Sequence, residues 1–207
     1  MPVWLLVGLG NPGSKYEGTR HNVGFRVIDA LAADAGAPPL RGKLGAEVGE
    51  ARVGSERILL CKPMEFMNTS GQAVTRVAQF WKIQPARTVV VHDDLDLPFG
   101  RLKLGAGGGH GGHNGLRSII AEWGTAEFLR VRCGIGRPPV GHDAASYVLQ
   151  DFNTTERREL GDWCARAADA TRAIVTDGLT VAMNRFNTKP GGKPGTPQNS
   201  NKTQQND

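Results

Sequence analysis

Three short stretches of this chain, residues 3–9, 58–61 and 88–91, are apolar almost without interruption, and each is followed at once by glycine, proline or charged residues. A strand with one wet face alternates apolar and polar positions. An unbroken run of this length is a strand buried on both faces, which belongs inside a parallel or mixed sheet. Between the runs the spacing changes. Val23, Val27, Ile28 and Leu31 recur with helical period before Gly36 and the Pro38-Pro39 pair, and Val74, Val77, Ala78 and Trp81 do so after Ser70, a candidate cap. Leu116, Ile119, Ile120 and Trp123 mark a third helix, and Leu160, Trp163, Ala167 and Ile174 a last one over about 155–176. Ala46, Val48, Ala51 and Val53 approximate strand alternation. Leu102 and Leu104 alternate with Arg101 and Lys103, as an edge or antiparallel strand would, and Leu129, Val131, Cys133 and Ile135 alternate with Arg130 and Arg132. Strands and helices interleave without an internal repeat, so the class is α/β: one domain, with a mixed central sheet flanked by helices on both faces.

That domain is expected to span residues 1–187. Residues 188–207 contain no apolar side chain and cannot bury anything, which predicts a polar, disordered tail. The net charge of +5 permits a nucleic-acid partner without demanding one. Cys61, Cys133 and Cys164 are odd in number and widely spaced, which fits neither a disulfide framework nor a zinc site and suits the cytoplasm. The apolar run at residues 4–9 has no basic stretch before it and is far too short to span a bilayer, so neither a secretory signal nor a membrane anchor is expected.

The chain has 28 glycines, about twice the average share of about 7%, and they gather in polar segments that follow strands or open helices, where an open α/β sheet places its ligand crevice. Gly8-Leu9-Gly10-Asn11-Pro12-Gly13 has the GxGxxG spacing of dinucleotide sites, yet the residues after Gly13 read as a loop and Asp29 and Asp34 fall inside a helix. A tight turn, or a loop presenting Asn11 to a substrate, are the other readings. His21 flanks the same loop, and neutral imidazole is the usual acceptor of a proton near neutral pH. His92-Asp93-Asp94-Leu95-Asp96 leaves the third buried strand: its carboxylates suit either a magnesium ion or the orientation of a histidine. In Gly105-Ala106-Gly107-Gly108-Gly109-His110-Gly111-Gly112-His113-Asn114-Gly115 the HxxH pair invites a metal, but glycines between the histidines are poor helix formers, and a substrate-contacting loop fits better. Phe66-Met67-Asn68-Thr69-Ser70-Gly71 precedes a helix, where Asn68 is either a turn residue or part of a cleft shared with Asn11 and Asn114.

Taken together, in this order and at this spacing, the blocks resemble the signature of the bacterial-type peptidyl-tRNA hydrolases: residues 8–13 with Tyr16 and Thr19-Arg20-His21-Asn22, then Phe66-Met67-Asn68, then 92–98, then Gly111-Gly112-His113-Asn114-Gly115. The run at 132–138 extends the likeness towards Asn187. The resemblance implies hydrolysis of the ester between a peptide and the 3′-terminal ribose of tRNA, recycling tRNA from stalled translation. It implies a monomer without metal or cofactor. It makes His21 the base that activates water and Asp93 its orienting carboxylate, with Asn11, Asn68 and Asn114 handling water, peptide backbone and carbonyl. Tyr16, Met67, Gly112 and His113 would line the same cleft. Lys103, Arg117 and Arg132 are candidate phosphate contacts for the acceptor stem; for each of them a merely solvated face is the other reading. Two departures stand out, Glu65 in place of a small hydroxyl residue and the length of the tail.

Overall fold

In a computed structural model of the chain, residues 2–187 are described; the expected tail lies outside them. Seven strands form one sheet in the order β2-β3-β4-β1-β5-β7-β6. They are β1 (Val3–Gly8), β2 (Arg41–Lys43), β3 (Ala46–Val53), β4 (Glu56–Pro63), β5 (Thr88–Asp94), β6 (Leu102–Ala106) and β7 (Leu129–Gly134). The four inner strands β4, β1, β5 and β7 run parallel, while β3, β2 and β6 are antiparallel to their neighbours. The sheet is therefore mixed, and the unbroken apolar runs are its interior strands.

Burial on both faces explains why those runs show no alternation. In β1, Leu6 packs into one core, with α1 (Val23–Asp34), α5 (Thr154–Asp177) and α6 (Leu179–Phe186). Leu5 and Val7 pack into the other, with α2 (Ser70–Trp81) and α3 (Asn114–Trp123). In β5, Val89 and Val91 point to the first core and Val90 to the second. Edge strand β6 buries Leu102 and Leu104. Its open side is covered by Asn187, whose carboxamide accepts from Leu104 N at 2.7 Å and donates to Leu104 O at 3.1 Å, which blunts an otherwise adhesive edge.

Several local expectations are revised. Ser70 does not cap α2: Thr69 holds the cap position without a side-chain bond, and Ser70 is wholly buried in the first turn. Helix α5 begins on a capping box, in which Asn153 accepts from Glu156 N and Glu156 accepts from Asn153 N. Strand β2 has no apolar residue, and helices α4 (Ala144–Val148) and α6, of five and eight residues, are too short to give a periodic signal.

The topology fixes where a ligand can sit. The chain leaves β1 towards α1 on one face and leaves β5 towards α3 on the other. Connections that diverge from adjacent parallel strands open a crevice at their carboxyl ends. Residues 9–22 and 92–98 start there, while the glycine loop after Ala106 leaves β6 at the other end of the sheet, beside Leu129, and returns far enough for His113 to reach Asp93.

Candidate active site

Two of the three glycines of the first segment, Gly8 and Gly10, serve packing, while Gly13 faces open space at a φ of +105°. A Cβ on Gly8 would lie 2.2 Å from Gly24 O, and one on Gly24 would lie 2.4 Å from Leu9 N, so β1 and α1 touch backbone to backbone. After Gly13 the chain makes two 3-10 turns, Ser14–Tyr16 and Arg20–Asn22, and α1 starts only at Val23. No helix N-terminus meets the third glycine, and the dinucleotide reading fails on that point.

The close turn instead delivers Asn11 to its neighbours. Asn22 Oδ1 accepts from Asn11 N and Asn22 Nδ2 donates to Asn11 O, both at 2.9 Å. Asn11 Oδ1 in turn accepts from Met67 N at 2.8 Å. Met67 packs beneath Gly115, where an added Cβ would come within 2.6 Å of its sulfur and 3.1 Å of His113 Cε1. Three loops far apart in sequence are thus tied into one floor.

On that floor Asp93, 3% exposed, binds two histidines. His21 Nδ1 lies 2.9 Å from both carboxylate oxygens, and His113 Nε2 lies 2.8 Å from Oδ1. A carboxylate only accepts, so both nitrogens carry protons. The assignment is consistent for His113, whose Nδ1 accepts from Gly115 N at 3.1 Å and Leu116 N at 3.4 Å. His21 then has Nε2 as its basic nitrogen. Burial opposes a charge on His21, but the Asp93 carboxylate outweighs it by charge and hydrogen bond and holds the imidazole above its ordinary value. Burial likewise favours the neutral acid at Asp93, yet the two imidazoles hold its carboxyl well below the usual range.

The other two acids of the segment are drawn elsewhere. Asp94 accepts from Arg132 Nε at 2.6 Å, and Asp96 pairs with Arg137. Splitting the three carboxylates among separate partners argues against a shared cation and favours the orienting role for Asp93. His110 Nδ1 accepts from Gly112 N at 3.0 Å and both nitrogens of His113 are engaged, so the HxxH pair does not form a metal site. Among the described residues His21, Asp93 and His113 are the group whose ligand atoms are close enough for an ion, within 4.8 Å of one another. An ion there would have to replace the hydrogen bonds just described.

A cavity of about 910 Å³ opens in front of this cluster, bordered by His21, Asp93, Lys103, Gly112, His113, Asn114 and Arg132. Asn11 borders a second, smaller cavity of about 330 Å³ behind the same loop. Tyr16, half-buried, Met67, buried, and Asn68, exposed on the turn Met67–Thr69, do not border the large cavity. Nor does Arg117, which donates to Asn114 Oδ1 at 3.0 Å. Glu65, the departure noted above, pairs with Arg76.

Two residues at the cavity have structural roles that their sequence context did not reveal. Arg130 lies over the Phe128 ring and donates to the carbonyls of Gly108 and Gly109, bracing the glycine loop from β7. His92 donates from Nδ1 to Asp93 O at 2.7 Å, and burial pushes its imidazole down to about 3, with the neighbouring His113 adding to the effect. The signal for Arg130 was a charged residue at a position of β7 that turns out to be buried, which reads as an ordinary polar alternation until the loop opposite is seen.

The arrangement can hold a water against a basic imidazole beside a large polar opening. The peptidyl-tRNA hydrolase family model matches residues 5–194. Peptidyl-tRNA hydrolase of Frankia alni is 52% identical over 183 residues, 88% of this chain and 93% of that one, and the Mycobacterium tuberculosis protein is 50% identical over 182 residues, 87% and 95%. The crystal structure of the Acinetobacter baumannii peptidyl-tRNA hydrolase matches with a TM-score of 0.84 at 35% identity, over 93% of this chain and 97% of that one. A propanol complex of a peptidyl-tRNA hydrolase gives 0.85 at 35% identity, over 92% and 97%. With likeness of sequence and of fold both running through the length that carries the His21, Asp93 and His113 cluster, the chain belongs to the peptidyl-tRNA hydrolase family.

Proposed function

We propose that the chain hydrolyses the ester joining a peptide to the 3′-terminal ribose of tRNA by a water that His21 deprotonates. The observation that carries this reading is the pair of 2.9 Å contacts from Asp93 to His21 Nδ1, which leave Nε2 as the basic nitrogen of a ring bordering the large cavity. As water attacks the carbonyl, its proton passes to Nε2, and Asp93 stabilises the imidazolium that forms. The carbonyl oxygen gains charge at the same moment. A carboxamide N–H from Asn11 or Asn68 is the candidate to receive it by its chemistry, although neither side chain borders the large cavity, and Asn114, which does, is placed to hold the peptide backbone. Collapse of the tetrahedral intermediate breaks the ester, with the ribose oxygen leaving and taking up a proton. The enzyme acts as a cytoplasmic monomer and needs no cofactor for these steps. Among the described residues no helix is long and apolar enough to cross a membrane.

The test is to incubate the purified protein with N-blocked and with free aminoacyl-tRNA, with and without a chelator. Release from the blocked species alone, unaffected by chelator, is the expected result; release from neither species overturns the reading.

Lys103 and Arg132 border the cavity as cations for the acceptor-stem phosphates, with Arg117 farther out on α3. Arg132 starts from its bond to Asp94, which a phosphate would have to share or displace. Phosphate contacts release counterions, so the Michaelis constant is expected to rise with salt. Lys103→Ala should raise it further and reduce the slope against log salt by about 1. A Michaelis constant that does not vary between 50 and 200 mM salt, the window over which such contacts lose affinity by orders of magnitude, would exclude these contacts.

A further inference from the structure

Arg20 precedes the base in sequence and is 5% exposed, so its charge must be answered inside the protein. The answer comes from a segment more than 120 residues away. One terminal nitrogen donates to Asp151 O at 2.8 Å and Gln150 O at 3.3 Å, and the other to Glu156 Oε2 at 2.8 Å. That same carboxylate oxygen accepts from Asn153 N in the cap of α5. The guanidinium lies over the rings of Tyr147, at 4.3 Å, and Phe152, at 5.5 Å. Main-chain contacts run alongside: Arg20 N donates to Gln150 O at 3.0 Å, and Thr19 forms an isolated bridge with Asp151. Tyr147 itself is fixed, its hydroxyl donating to Ile135 O at 3.0 Å.

The consequence concerns what lies on either side of this latch. Asp143, Ala144, Ala145 and Val148, in and just before α4, border the large cavity, and so does His21. One buried side chain therefore joins the far wall of the cavity, the cap of α5 and the turn that holds the base. His21 has no helix of its own to fix it: it sits in a single 3-10 turn whose cap makes no side-chain bond.

We infer that Arg20 is a positioning residue for the reaction, holding the 19–22 turn against the 147–156 segment so that His21 meets Asp93 in register. This rests on His21 being the base. An apolar or shorter residue at position 20 would remove the side-chain donor to Asp151 O and the charge facing Glu156, and free the turn to shift. A displacement of the order of 1 Å is enough to cost about 100-fold in rate. His21 faces two titratable groups, Asp93 from β5 and His113 from the loop before α3, the His113 ring lying 5.0 Å from its own. Loosening the turn weakens the Asp93 contact first.

The experiment compares Arg20→Gln, Arg20→Lys and Glu156→Gln on N-blocked aminoacyl-tRNA. Arg20→Gln is expected to lower kcat by about 10- to 100-fold with little change in KM, and to move the acid limb of its pH profile to lower pH as the imidazolium loses its carboxylate. Arg20→Lys, which cannot reach both the carbonyls and Glu156, should recover only part of this. Glu156→Gln retains a side chain competent for the capping box and removes only the charge facing Arg20, so it tests the latch in a folded protein. It should show the same changes more weakly. Wild-type kcat in Arg20→Gln, or a reduced kcat with the acid limb unmoved, overturns the inference. If His21→Ala is active, the reading of the base fails instead, and the two failures are told apart in one series.

Discussion

His21→Ala is expected to lower kcat on N-blocked aminoacyl-tRNA by about 10²- to 10⁴-fold, the usual contribution of a positioned general base, while KM stays close to that of the unaltered enzyme. The separation follows from the geometry. His21 is largely buried beneath the cavity, and among the described residues its side chain hydrogen-bonds to Asp93 alone, so it adds little surface for holding tRNA. The candidate phosphate contacts, Lys103 and Arg132, are untouched by the change. In the unaltered enzyme, kcat/KM should fall as pH drops through the pKa of His21, because the protonated ring cannot accept a proton. The Asp93 carboxylate places that fall above the ordinary imidazole value of about 6.5. The alanine variant should lose this acid limb along with the rate. Near-normal turnover by His21→Ala would remove the base from the mechanism altogether.

How much of this was legible beforehand depended on the range of the interaction. The inner strands declared themselves because burial on both faces leaves unbroken apolar runs, and the edge strand β6 because its two leucines alternate with charge. Helix α4 left no trace, since five residues give less than two turns of pattern. In the site, the carboxylate segment at 92–98 left its division of labour open; the partners decided it, with Asp93 buried between two histidines while Asp94 and Asp96 went to arginines. The GxGxxG spacing was the most misleading local signal. It records a contact of β1 with α1, and the late start of that helix, with Asp29 and Asp34 inside it, distinguishes it from a phosphate loop. Asn22 and Arg20 belong to the Thr19-Arg20-His21-Asn22 stretch of the family signature, yet their roles depend on residues 11 positions away in one case and more than 120 in the other. No periodicity reports such contacts.

Asp93→Asn tests the orientation of the base without emptying the site. The two side chains are nearly the same size, so packing around position 93 is kept, but asparagine has one acceptor oxygen where aspartate has two and presents an N–H₂ group on the other side. Asp93 Oδ1 now receives both His113 Nε2 and His21 Nδ1, and Oδ2 receives His21 again. With the amide oxygen kept by His113, the amide nitrogen faces His21 Nδ1 and donates to it. His21 is then driven to carry its proton on Nε2, the nitrogen that must be free to accept one. In the serine-protease triad this change of tautomer costs about 10⁴-fold, and a loss of about 10³- to 10⁴-fold in kcat is expected here. Without the carboxylate, burial acts on His21 unopposed, so any residual activity should show its acid limb at lower pH than in the unaltered enzyme. Stability gives an independent check. Asp93 is held well below the usual carboxylate range, so the stability it contributes is present above about pH 3.9 and lost as pH falls through its own lower value. Thermal unfolding of Asp93→Asn should therefore fall short of the unaltered protein near neutral pH, and the gap should narrow in acid. A variant that keeps its rate while losing stability in this way would make Asp93 a structural carboxylate, and the orientation of His21 would have to come from elsewhere.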